Sequence, residues 1–285
     1  MAGKRQKRRN WKRAPAVLVM MAASAVLLTP AGSAGTLSRA PADRASETTA
    51  IVRAAPEPRR KTTEVVKKPG EDTAPIVQES SFGPVPESAA VEDTYFEDVV
   101  FLGDSRTEGF HLYSGLKTGT YLCSVGATVE SVFTKKDWPA DGKDKVPLLD
   151  ALAETPCGKV YLMLGINELG WSKTETFHDQ YAKVIDRIRE DHPEEGIVLQ
   201  TILPVSARQD AKGSYVNNER IKVYNQVIRT LAEEKECALV DVAEALAGED
   251  GCLPGELNFD GVHLNPAGCR IWLEYLRTHG VAGRE

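Results

Sequence analysis

From about Tyr95 onward the chain alternates short apolar runs with longer amphipathic segments, and few folds accommodate that alternation. An apolar run of four to eight residues bounded by turn formers suits a strand covered on both faces, whereas apolar positions at helical spacing suit a helix lying on a sheet. The runs are Asp98–Leu102, Thr120–Val125, Lys159–Leu164, Gly196–Ile202 and Ala238–Asp241. Between them Glu175–Glu190 and Tyr215–Glu236 read as helices, with Ile221, Tyr224, Ile228 and Leu231 on one face of the second. A last helix starts at Pro266, whose fixed φ and missing N–H suit a first turn, and runs to about Thr278. Strand, helix, strand in repetition builds a parallel sheet with helices on both faces. The expectation is therefore α/β: one three-layer α/β/α domain on a five-stranded parallel sheet, spanning residues 94–285. In such sheets ligands bind beyond the carboxyl ends of the strands.

The residues ahead of that domain have a different texture. Met1 to Arg13 hold seven Lys or Arg and no acid, and an uncharged stretch from Ala14 to Ser38 follows, with its apolar heart at Ala14–Leu28. Residues 1–38 thus read as an export signal, either a signal peptide that is removed or a single N-terminal signal anchor that is kept. The basic flank stays cytoplasmic, which places everything downstream outside, secreted or held at the membrane through that segment. Residues 39–93 are rich in Ala, Pro, Glu, Thr, Ser and Arg without an apolar period, the composition of a disordered stalk or linker.

The chain's net charge is −6, the flank carries seven positive charges, and the remainder is therefore −13. So acidic a body lacks the basic stripe that neutralises phosphates, which argues against nucleic acid and for a small-molecule or carbohydrate partner. Five cysteines, at 123, 157, 237, 252 and 269, include no CxxC pair and are odd in number, which points to packed thiols over a zinc site or a complete disulfide framework. Cys237, Cys252 and Cys269 are the plausible participants should one bridge form.

The chemistry-bearing residues sit where the strands end. The first strand runs into Gly103-Asp104-Ser105, and Arg106–Tyr113 then has helix-compatible composition, so Ser105 falls at a helix N-terminus, where N–H groups and the dipole favour negative charge. Near the C-terminus Asp260-Gly261-Val262-His263 precedes the last helix. A carboxylate three residues from an imidazole on one loop can fix its tautomer and leave the other ring nitrogen to take a proton from a serine. Gly126 follows the second strand and Asn167 the third; a glycine N–H and an asparagine amide are donors of the kind a developing oxyanion needs. Singly, each of these is an ordinary turn or loop residue. The remaining histidines, at 111, 178, 192 and 279, read as structural.

Together the four blocks resemble, in order and spacing, the SGNH hydrolases, also called GDSL esterases and lipases, over about Val99 to Leu276. That resemblance implies the family's flavodoxin-like sandwich, a serine esterase using Ser105, His263 and Asp260, and an oxyanion hole made by Ser105, Gly126 and Asn167. It implies no metal and no organic cofactor. Two departures bear on specificity: Arg106 stands where the family name records leucine, and Glu168 follows Asn167 where aspartate is usual. Glu168 keeps a charge that can tie down its loop, while Arg106 lines the pocket mouth or makes a surface ion pair. Trp171 and Leu257, with Tyr113 and Phe259, are further candidates for the pocket or else for the core. The expected activity is removal of short acyl groups, acetyl above all, from cell-envelope or dietary carbohydrate. An O-acyltransferase on the same site and a catalytically silent carbohydrate- or envelope-binding module are the alternatives. An α/β-hydrolase is disfavoured because its Gly-x-Ser-x-Gly elbow is missing at Gly103–Thr107, and a metal hydrolase built on Asp104, Asp260 and His263 is the weaker rival.

Overall fold

The computed structural model describes residues 83–139 and 144–281. The expected signal at 1–38 and most of the expected linker lie outside the described residues. Among those described, no helix is long and apolar enough to cross a membrane.

The sheet is fully parallel and consists of β1 (Gly83–Pro84), β2 (Val99–Gly103), β3 (Thr120–Cys123), β4 (Lys159–Met163), β5 (Gly196–Gln200) and β6 (Ala238–Val240), in the order β1-β6-β5-β4-β2-β3. Among the described residues seven α-helices accompany it: α1 (Ser105–Tyr113), α2 (Leu148–Ala153), α3 (Thr174–Asp191), α4 (Ala207–Asp210), α5 (Asn218–Glu234), α6 (Val242–Leu246) and α7 (Pro266–Thr278). Alternate residues of β2 feed opposite cores, as a pleated strand requires. Val100 and Leu102 join Leu162, Phe177, Ile185, Tyr224 and Ile228 beneath α2, α3 and α5. Val99 and Phe101 join Phe110, Tyr161, Trp272 and Leu276 beneath α1, α6 and α7. The face of α5 foreseen from spacing, Ile221, Tyr224, Ile228 and Leu231, is buried throughout, each side chain contributing about 1.5–3 kcal/mol of transfer free energy.

The five anticipated strands are present, and a sixth is added at the edge. Gly83 N–H donates to the Cys237 carbonyl at 3.4 Å and Val85 N–H to the Leu239 carbonyl at 2.8 Å. The same segment continues onto α7, where the N–H groups of Ser88 and Val91 donate to the carbonyls of Thr278 and Arg277. Residues 83–93, grouped by composition with the linker, are thus docked on the domain. A two-residue strand holds no period to detect, and proline in it marks an edge position, where the missing N–H costs no ladder bond.

Omitting β1, the strand order reverses between β2 and β4, the crevice where ligands of doubly wound sheets bind. Ser105 follows β2 and Asn167 follows β4, so the fold brings these two to opposite lips of that crevice.

Candidate active site

The turn that carries Ser105 is shaped by close approach. A Cβ added at Gly103 would lie 2.1 Å from the Thr107 hydroxyl and 2.6 Å from the Met163 carbonyl, so only glycine lets β2 turn into α1 against β4. Asp104 caps α1, its Oδ1 accepting the Arg106 N–H at 2.8 Å. Ser105 is the first residue of the helix, where a backbone N–H has no intrahelical acceptor and the dipole is positive.

The partner loop is equally fixed. Asn258 and Leu264 bridge antiparallel, Phe259 N–H donates to the His263 carbonyl at 2.9 Å, and Ser206 N–H donates to the Gly261 carbonyl at 2.9 Å. Asn265 caps α7, accepting from the N–H groups of Ala267 and Gly268. Within this frame Asp260 Oδ1 accepts from the N–H groups of Val262 and His263, at 2.9 and 2.8 Å, and Oδ2 lies 2.8 Å from His263 Nδ1. A carboxylate only accepts, so Nδ1 carries the proton and Nε2 is the basic nitrogen. Nε2 stands 3.0 Å from Ser105 Oγ. Partial burial pushes the Asp260 carboxyl up, but the His263 backbone and ring N–H groups outweigh it and hold Asp260 below its usual range, ionised beside the imidazole.

Gly126 takes φ +74°, a left-handed turn that a side chain would strain, and its N–H makes no hydrogen bond among the described residues. Asn167 donates one amide N–H to the Ala127 carbonyl at 2.8 Å, which pins the amide and leaves its second N–H for a ligand. The Ser124–Asn167 lip is further secured by Glu168, which is buried and accepts the Val129 N–H at 2.7 Å. Glu168 therefore ties down the loop through this hydrogen bond, not through the negative charge expected of it.

That tie has a pH dependence. Burial raises the Glu168 carboxyl to about 8, with Asp104 adding to the rise, and burial raises Asp104 itself to about 6. A carboxyl whose folded pKa exceeds its unfolded value stays protonated in the fold while the unfolded chain ionises, so its contribution falls as pH rises between the two. The parent should thus lose stability relative to Glu168→Gln as pH rises from about 4.5 to about 8. Thermal melts of both proteins across that range check it; parallel profiles would contradict the burial argument.

Of the candidate pocket residues, Arg106 lies elsewhere than expected, and Trp171 and Leu257 take the core alternative. Arg106 is neither at a mouth nor in a surface ion pair: it is 3% exposed, with Nη1 donating to the Leu203 carbonyl at 2.7 Å. Its position in the first turn of α1 aims the side chain back beneath the serine turn, where Asp104 and Asp260 supply negative charge, while burial lowers its own pKa to about 10. Trp171 is half-buried against the core under α3 and α5, and its carbonyl accepts from Arg220 Nη2. Leu257 packs on the opposite core beside α7. Tyr113 and Phe259, by contrast, are exposed and touch edge to face, with ring centroids 5.5 Å apart. Leu203 and Ser206, which brace Arg106 and the Gly261 turn, carried no signal in the sequence because they act through backbone atoms. Cys123, Cys157, Cys252 and Cys269 are free thiols. An open depression of about 530 Å³ lined by Ala245, Ala267, Ile271 and Tyr275 includes none of the site residues.

The sequence profile of the GDSL-like Lipase/Acylhydrolase family matches residues 101–271, from within β2 into α7. The chain belongs to that family. The match encloses all four blocks, and the GDSL-like acylhydrolases are ester hydrolases. No curated protein matches the chain. Among solved structures, a Streptococcus pneumoniae protein provisionally described as a platelet activating factor is 25% identical, covers 63% of this chain and 81% of its own, and superposes with a TM-score of 0.52. A GDSL-like lipase from Bacteroides thetaiotaomicron is 18% identical, with 64% and 86% covered and a TM-score of 0.47. An acetylxylan esterase from Geobacillus stearothermophilus is 18% identical, with 65% and 95% covered and a TM-score of 0.45. The parallel α/β sheet of this GDSL-like chain is the SGNH hydrolase fold.

Proposed function

We propose that this GDSL-like protein is a serine esterase that removes short acyl groups from neutral carbohydrate outside the cytoplasm, through an acyl-enzyme on Ser105. The observation that carries the proposal is the unbroken relay from Asp260 Oδ2 to His263 Nδ1 at 2.8 Å and from His263 Nε2 to Ser105 Oγ at 3.0 Å. His263 Nε2 takes the hydroxyl proton as Oγ attacks the ester carbonyl, and Asp260 steadies the imidazolium. The carbonyl oxygen, now negative, accepts from the N–H groups of Ser105 and Gly126 and from the second amide N–H of Asn167. As the tetrahedral species collapses, the carbon–oxygen bond to the alcohol breaks and His263 hands its proton to the leaving oxygen. A water deprotonated by the same nitrogen then cleaves the acyl-serine, and the proton returns to Ser105.

Location and charge support the rest of the reading. The basic flank and apolar stretch within residues 1–38 favour export, and a remainder of −13 disfavours polyanionic substrates. The full chain should hydrolyse p-nitrophenyl acetate faster than the octanoate and release acetate from acetylated oligosaccharides. A preference for the long chain with no acetate released would overturn the substrate, and inertness toward every ester would leave a binding module of this fold.

A further inference from the structure

Gly109 is out of place energetically. It lies inside α1, where glycine costs roughly 0.5–1 kcal/mol relative to alanine, and no crowding excuses it: a Cβ added there would meet nothing within 4 Å. Residues four and seven beyond Ser105 share its helix face, so Ser105, Gly109 and Leu112 form one line about 10 Å long, with Gly109 leaving its middle bare. Leu112 is 60% exposed, Tyr113 40% and Phe259 61%, three of the seven large apolar side chains left exposed among the described residues. The Tyr113 and Phe259 rings close the far end of that line edge to face.

The proposed acyl transfer assigns a direction to this trough. The carbonyl oxygen must point at Gly126 and Asn167, and the leaving oxygen at His263 Nε2. Phe259 opens the His263 loop and is bonded to it through its own N–H, so the trough lies on the leaving-group side. We infer that the bare face of α1 over Gly109, ended by Tyr113 and Phe259, is the binding site for the alcohol portion of the ester, and that this portion is a neutral sugar chain. Aromatic rings standing in solvent suit a ring with an apolar face and hydroxyls at its edge; a lipid alcohol calls for an enclosed apolar pocket. This deepens the carbohydrate reading above and depends on it.

The test compares the full-length parent with Gly109→Trp, which fills the trough, and with a Tyr113→Ala/Phe259→Ala double variant, which strips its end. Both truncated side chains are exposed, and a thermal melt of each variant reports folding. The readout is kcat/KM on an acetylated oligosaccharide divided by kcat/KM on p-nitrophenyl acetate. We expect each variant to lower that ratio by about tenfold or more, through KM on the oligosaccharide. Ratios within twofold of the parent in both folded variants overturn the trough while leaving the esterase reading intact. A parent that cleaves p-nitrophenyl acetate but no acetylated oligosaccharide overturns the sugar assignment here and above, and a parent that cleaves neither overturns the chemistry itself.

Discussion

Replacing His263 with alanine should lower kcat on p-nitrophenyl acetate by on the order of 10⁶-fold, the loss seen when the base of a serine triad is removed. The magnitude follows from the role proposed for Nε2: at 3.0 Å from Ser105 Oγ it is placed to receive the proton in the first step and return it to the leaving oxygen in the next. No other histidine can stand in for it. His111 is stacked on Tyr121 and His178 pairs with Glu234, while His192 and His279 are buried among their own helix ends. Asp260→Asn should cost about 10⁴-fold, because an amide at Oδ2 can donate to Nδ1 and so favour the tautomer with its proton on the wrong nitrogen. Since Asp260 and His263 lie on a partly exposed loop, both variants should melt close to the parent. Steady-state rates beside a thermal melt check the pair; a His263→Ala enzyme within tenfold of the parent contradicts the assignment.

The second large effect is on stability. Arg106→Ala should destabilise the fold by about 3–5 kcal/mol, a large part of the 5–15 kcal/mol that holds a typical domain together. The guanidinium is buried, binds the Leu203 carbonyl at 2.7 Å and faces Asp104 and Asp260. Truncation leaves a void, an unpaired carbonyl and a buried carboxyl without its nearest positive charge. Arg106→Leu, which restores the residue of the family name, should recover a substantial part, because an apolar side chain fills the void and removes a buried charge whose Nε and Nη2 have no hydrogen-bond partner among the described residues. With the positive charge gone, Asp104 takes up its proton at higher pH than about 6, so the cost of either variant should grow from pH 5 to pH 8. Urea unfolding at the two pH values measures it. An Arg106→Ala protein as stable as the parent would show that the arginine is a bystander.

What was legible in the sequence divides along physical lines. Strands covered on both faces must be uniformly apolar and long helices must be amphipathic, so β2 to β6, α3, α5 and α7 were readable to within a few residues. The meeting of Ser105, His263 and Asp260 was readable because Asp260 and His263 are local to one loop and because GDS and GxN ends must fall at strand termini. The edge strand at Gly83–Pro84 was hidden: its stability comes from β6 and α7, which it meets only in three dimensions. Arg106 was misplaced for a related reason. Arginine is mostly a surface residue, and nothing local announces that Leu203, from a loop 97 residues away, supplies a carbonyl beneath α1. Trp171 and Phe259 read alike by residue type, yet Trp171 packs against the core and Phe259 stands in solvent, because the turn after β4 faces α5 while the Asp260 loop faces solvent.

In the proposed mechanism Ser105 becomes a nucleophile because His263 can take its proton. Treatment of the full-length protein with a fluorophosphonate, followed by peptide mass spectrometry, tests this most directly. One adduct per chain is expected, on Ser105, absent in Ser105→Ala and slowed by orders of magnitude in His263→Ala. Adducts on another residue, or equal labelling in all three proteins, would contradict it.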